Sequence, residues 1–299
     1  MSFLSTIFLV LLPPFFFGLT NLIDNKLTRF EGLKKTSTLV FLCNFTNILF
    51  APVLFLIHPL VLPPVELLPA LILIGAIEVV YLFPYFKAYK HLDTSIVSAL
   101  FALGRIFTPL FAFLMINEMF NINQYFGFLM VVIASVFLSL EKGAKFKLNI
   151  GFWLMLMASL FIIFEDVVVK HATFGMNWVN LFFWSGLFAT IVSFLILVSG
   201  ENRKDLRKSL RWDSLKEYAP WFLTTELFQV LGRTSFIFAA SLLPITFVEM
   251  GMSFQPFLVL ITSWILFKLF KFNIWEQKTS YMRKIICFAF MVAGAVLLI

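Results

Sequence analysis

The run TELFQVLGR, Thr225 to Arg233, sets a carboxylate, an amide and a guanidinium within an otherwise apolar stretch. A helix turns by about 100° per residue, so Glu226, Gln229 and Arg233 share one stripe of its surface. Two more charged positions stand in comparable surroundings. Glu78 and Arg105 lie at similar distances on either side of His91, and Arg233 and Glu249 flank Ser241 to Pro244 in a looser version of the same arrangement. On adjacent antiparallel helices, depth counting pairs Glu78 with Arg105 and, less tightly, Arg233 with Glu249. Such groups suit recognition and gating. Arginine holds a carboxylate or phosphate through two parallel hydrogen bonds, and a partly buried glutamate can carry a coupling proton. The competing reading is a purely structural polar seam that locks one helix to its neighbour.

Further candidates extend this set. Tyr81, Tyr85 and Trp184 offer stacking or cation-binding surfaces, although packing is the ordinary role of an aromatic ring in a chain with 41 phenylalanines. Glu165 and Asp166 fall near the outer end of an apolar stretch and read as interfacial, with Glu165 kept as a candidate ligand. Asn21 aligns with Glu165 at an internal offset of 144, and Gln255 is a further polar position inside an apolar run.

The elements that position these residues follow from composition. Of 299 residues 61% are hydrophobic and 13% charged, whereas a soluble domain carries about a quarter charged residues. This is the composition of a membrane protein. A membrane helix needs roughly 20 mostly apolar residues and satisfies its own backbone polar groups, as lipid demands. Apolar runs broken by charge or turn residues predict an all-α, polytopic integral membrane protein with ten transmembrane helices. They are expected near 3–23, 36–57, 66–89, 93–116, 122–140, 148–169, 177–199, 217–240, 244–268 and 281–299. The first run has no basic residue before it and no clear small-residue cleavage site, so it reads as a retained span. Pro13, Pro14, Pro84, Pro109 and Pro256 are expected to kink spans. Gly200 to Tyr218 is expected to be a solvated, partly helical loop.

Basic residues are distributed very unevenly. Twenty of the 23 fall after odd-numbered spans, including Lys26, Lys35, Lys90, Lys142, Lys145, Lys147, Arg207, Lys271 and Lys278, and on the opposite side there is only Lys170. The positive-inside rule then places the odd-numbered loops in the cytoplasm and both termini outside. The positive charge is a topology signal, and no nucleic-acid partner is expected. The surrounding partner is lipid, and the expected location is a bacterial inner membrane.

The chain also matches itself weakly. "AYKHLDTSIV" (Ala88 to Val97) aligns with "AASLLPITFV" (Ala239 to Val248) at an offset of 151, which also superposes Glu78 on Gln229; "NLIDNKL" aligns with "EDVVVKH", Lys26 on Lys170. Five spans per half invert the second half relative to the first. The expected units are 1–147 and 148–299, which makes a functional monomer reasonable. Ten short spans, inverted halves and the repeated small-residue span end, tight break and "xxS/TxxV" start resemble the drug/metabolite transporter superfamily, in particular its EamA-like members. In that family a proline commonly sits about thirteen residues before an acidic loop position. Pro256 takes that place in the second half, and Arg105, 13 residues before Glu118, replaces it in the first. The charge pattern also reverses the orientation the resemblance implies.

Enzyme signatures are missing from the sequence. His58, His91 and His171 are scattered, Cys43 and Cys287 form no ligand cluster, and no HExxH, GxSxG or GxxxxGK[ST] run occurs, so neither a hydrolase nor an ATP-driven pump is expected and no cofactor is implied. The resemblance implies a secondary carrier for a small organic solute such as an amino acid, amine, nucleotide-like or other zwitterionic metabolite, working by alternating access with protons as one coupling ion. The alternative is a polytopic membrane enzyme or flippase acting on a lipid-linked substrate.

Overall fold

Apolar sequence of this density forms helices wherever proline, glycine or charge does not interrupt it, because in lipid each backbone N–H must find a carbonyl within its own segment. In the computed structural model, which describes residues 3–92, 94–139, 149–270 and 281–298, every regular element is helical among the described residues. Lys142, Lys145, Lys147, Lys271 and Lys278 lie outside the described residues. The first part of the chain forms α1 (Phe3–Leu27), α2 (Thr36–Leu54), α3 (Leu68–Ala88), α4 (Thr94–Gly104), α5 (Thr108–Ile116) and α6 (Ile122–Ser139). The rest forms α7 (Ile150–Ala172), α8 (Trp178–Ser193), α9 (Gly200–Ser209), α10 (Trp212–Leu242), α11 (Ile245–Met252), α12 (Gln255–Phe270) and α13 (Tyr281–Leu298).

Among the described residues six stretches are long and apolar enough to cross a membrane: Leu4–Asp24, Val65–Ala88, Ala99–Ile116, Ile150–Ala172, Trp178–Val198 and Ile245–Thr262. Shorter apolar helices run over Thr36–Phe50, Ile122–Leu138 and Lys284–Leu297. α10 is the longest helix, at 31 residues, and carries Glu226 and Arg233 along its length. Outward-facing apolar side chains such as Leu4, Phe8, Leu49, Phe126 and Leu195 are 59–76% exposed. In water so much apolar surface would drive aggregation, so lipid is its natural solvent. The protein is an integral, multi-pass membrane protein.

Helix ends follow local chemistry. Asn149 and Asn177 cap α7 and α8, each accepting a backbone N–H at 3.0 Å. Asn121 and Gln124 cap each other's backbone N–H at 3.0 Å in a reciprocal box. Pro109 and Pro256, expected to kink spans, instead stand in the first turns of α5 and α12, where a missing N–H costs nothing. The expected fourth and ninth spans are therefore both interrupted, at Arg105–Phe107 and at Ser253–Phe254. The expected loop at Gly200–Tyr218 is largely helical, since α9 fills its first half and α10 begins at Trp212.

Packing places α1 along α10 and α12, α3 along α7 and α8, α2 against α8, α4 against α6 and α7, and α6 against α13. Glycine allows the closest approaches: a Cβ on Gly75 would lie 2.5 Å from the Ala189 backbone nitrogen, and one on Gly294 would lie 2.6 Å from the Gly127 carbonyl oxygen. Several basic segments meet at one end of the bundle. There Lys35 pairs with Glu201 at 2.7 Å and Asp205 at 3.5 Å, and Lys90 donates to the Lys34 carbonyl. The Glu201 hydrogen bond and charge push the Lys35 ammonium above its ordinary pKa. At the opposite end, Lys170 donates to the last carbonyls of α10, Ala240 at 2.7 Å and Leu243 at 2.8 Å, while both Glu118 oxygens accept the first N–H groups of α11 at 2.9 Å. A cation closes a helix C-terminus and an anion opens the next helix, each on the side its dipole favours.

Candidate functional site

Helical spacing collects polar side chains on the inward faces of several helices. Thr20, Asn21 and Asp24 share a face of α1, Cys43 and Asn47 a face of α2, and Glu78, Tyr81 and Tyr85 a face of α3. From the second half come Glu165 and Asp166 of α7, Thr225, Glu226, Gln229 and Arg233 of α10, Glu249 of α11, and Gln255 at the start of α12. Arg105 enters from the interruption between α4 and α5. Together they line a cavity of about 110 Å³, several times the space one water needs. Charged and polar side chains thus interrupt the apolar wall of a chamber inside the bundle.

Two arginines organise part of the wall. Arg105 donates through Nε to Glu249 at 3.0 Å and through its terminal nitrogen to Gln255 at 3.5 Å. Arg233 donates to Asp166 at 3.3 Å and to Glu165. All of these side chains are at least nine-tenths buried. The other wall is hydroxyl- and acid-rich: the Tyr85 hydroxyl lies 2.7 Å from Asp24, 3.2 Å from Asn21 and 3.3 Å from Tyr89. Asp24, Glu78, Glu165, Asp166, Glu226 and Glu249 set six carboxyls against two guanidiniums in one lining. Buried charge is tolerated only when compensated, so four carboxyls need a proton, water or a positively charged guest.

Eleven of the twelve sequence candidates stand around this cavity: Asn21, Glu78, Tyr81, Tyr85, Arg105, Glu165, Glu226, Gln229, Arg233, Glu249 and Gln255. Trp184 does not. It lies on α8, where its Nε1 donates to the Val61 carbonyl at 2.8 Å and ties the α2–α3 link down. Both expected ion pairs are replaced. Arg105 takes Glu249 instead of Glu78, and Arg233 takes Glu165 and Asp166 instead of Glu249. Depth counting fixes a level along the helix axis and leaves open which helix stands opposite. Glu78 keeps an electrostatic interaction with Arg233.

Glu165 and Asp166, expected at the interface, are 0% and 6% exposed, because α7 runs on to Ala172 and leaves them more than a turn from its end. Asp166 was outside the expected ligand set, as were Asp24, Cys43, Asn47, Thr20 and Thr225. A signal existed for Asp24: it stands one turn after Thr20, so both face the same side, but the first span was expected to stop at 23. Among the described residues no group of histidine, cysteine or acidic side chains is arranged to hold a metal ion.

Residues 4–140 match the model of the EamA-like transporter family. A solved structure titled only "Crystal structure of protein" superposes with a TM-score of 0.66 over 98% of this chain and 95% of its own, at 13% identity, a likeness of fold. No curated protein matches the sequence. Through its first half, then, this helical membrane protein is similar to the EamA-like transporter family.

Proposed function

We propose that this chain is a secondary carrier that moves a small organic solute, a zwitterionic or amine-bearing metabolite, across a bacterial inner membrane by alternating access around the central cavity. The observation that carries this reading is the chamber between helices of both halves, with two arginines and six carboxyls in its lining. Charges at mid-membrane cost roughly 2.5–3.5 kcal/mol each on insertion scales and mark solute or ion pathways.

The topology we infer is ten crossings in two inverted units, 1–147 and 148–299. α10 supplies the eighth crossing, and the interrupted pairs α4–α5 and α11–α12 supply the fourth and ninth. The packing supports an exchange of halves. Replacing α1 by α7, α3 by α10, and α4–α5 by α11–α12 turns the α1–α10 contact into α7–α3 and the α1–α12 contact into α7–α5, and all of these occur. Both interruptions border the cavity, through Arg105 and Gln255. Broken helices beside a midplane site are how inverted-repeat carriers expose backbone groups to a solute. The convergence of Lys35, Lys90 and the α9 residues at one end supports a cytoplasmic placement of that end.

Reconstituted vesicles test the carrier. Wild-type protein is expected to exchange a labelled solute identified by a thermal-shift screen, since a ligand that binds the folded state raises its stability. A folded Glu226→Gln, Arg233→Leu double variant that transports at the wild-type rate would refute this site.

A further inference from the structure

We propose that the end of the cavity built by α1, α2 and α10 holds the ammonium group of an amine-bearing solute. This names the recognised group and rests on the carrier reading above. The two cavity arginines are already engaged with Glu165, Asp166 and Glu249. Among the described residues no cation acts on Asp24 or Glu226 at the other end. Glu226 is 1% exposed, and its Oε2 is buried and lacks a hydrogen-bond partner among the described residues. The Asn47 Oδ1 is orphaned in the same way. It stands one helical turn after Cys43, whose thiol lies against Glu226. Asp24 adds a third acceptor, with one oxygen receiving the Tyr85 hydroxyl. The basic residue closest to it in sequence, Lys26, is turned away onto the Trp221 ring, 3.2 Å from its centroid.

An orphaned buried acceptor is costly, and a charged donor relieves it best. A primary ammonium carries three N–H donors and no acceptor, which matches three oxygens contributed by three helices. A carboxylate or phosphate placed there would meet Asp24 and Glu226 without a counter-charge. The site therefore selects for positive charge at this end, whatever the rest of the solute carries.

Three four-carbon probes separate the possibilities: 1,4-diaminobutane, 4-aminobutanoate and butanedioate. Calorimetric titration of the purified full-length protein should show binding of both amines and none of butanedioate. Glu226→Gln should weaken amine binding by roughly 10- to 100-fold, the loss of a hydrogen bond to a charged group. Asn47→Ala, which keeps every charge, should weaken it less, with gel filtration showing both variants folded. Equal binding of butanedioate, no binding of either amine, or amine binding unchanged in both folded variants would overturn the proposal. The carrier reading fails separately, when vesicles move nothing from a broad metabolite panel. Movement of an anionic solute would leave the carrier standing and remove the ammonium site.

Discussion

Replacing Arg233 with leucine isolates the logic of the compensated wall. The guanidinium is 6% exposed, donates to Asp166 at 3.3 Å and to Glu165, and is the cation acting on Glu78. Arg233→Leu leaves three buried carboxyls facing one another. Breaking a buried ion pair by removing one partner costs about 3–5 kcal/mol, because the survivor is an uncompensated charge. At roughly 2 °C per kcal/mol for a chain of this size, the melting temperature in detergent should fall by about 6–10 °C. The triple variant Arg233→Leu, Glu165→Gln, Asp166→Asn removes two of the three orphaned charges, the pair on α7, and should recover much of that loss, while solute binding stays abolished. A single variant that melts within 1 °C of wild type, or a triple variant that melts no higher than the single, would refute the claim that Arg233 is retained to neutralise α7.

Lys170→Met should destabilise the protein by about 1.5–3 kcal/mol, because two α10 carbonyls lose a charged donor, and the loss should be smaller than additive with Glu118→Gln, since both residues clamp the α10–α11 joint; thermal melts of the singles and the double check this. Gly294→Leu should abolish folded monomer on size-exclusion chromatography, since even a Cβ would sit 2.6 Å from the Gly127 carbonyl oxygen and a backbone atom cannot swing aside. Lys35→Met should leave the melting temperature almost unchanged, because the Lys35 ammonium and its nearer partner, Glu201, are exposed to solvent.

The periodicity and composition made much of this molecule legible. Apolar runs of membrane length mark where the helices lie, and among the described residues the buried charged side chains within them, Lys170 apart, converge on one chamber. Side-chain partnership was not legible. Glu78 and Arg105 sit at matched depth, yet Arg105 projects from a helix interruption toward Glu249, and rotation about a helix axis leaves no trace in a count of residues. Asp166 reads from the sequence as interfacial, and Asp24 lies just past the expected end of the first span. Each helix extends past that end, to Ala172 and Leu27, and draws the charge inward. Trp184 erred the other way, because an aromatic ring with one polar atom is as useful for pinning a link as for stacking a guest.

The interruptions at Arg105–Phe107 and Ser253–Phe254 connect fold to proposed mechanism. A continuous helix satisfies its own carbonyls and presents only side chains, so it can line a chamber but offers it no backbone group. Each break ends at a proline in the first turn of the next helix, Pro109 or Pro256, which cannot continue the preceding i→i−4 ladder and so gives the chain a point of bending. Arg105 and Gln255 stand at these two breaks and touch each other at 3.5 Å across the cavity wall. Rocking one half against the other would strain that contact first. In the proposed alternating-access cycle the Arg105–Glu249 pair, joined to it through the same guanidinium, would be strained with it.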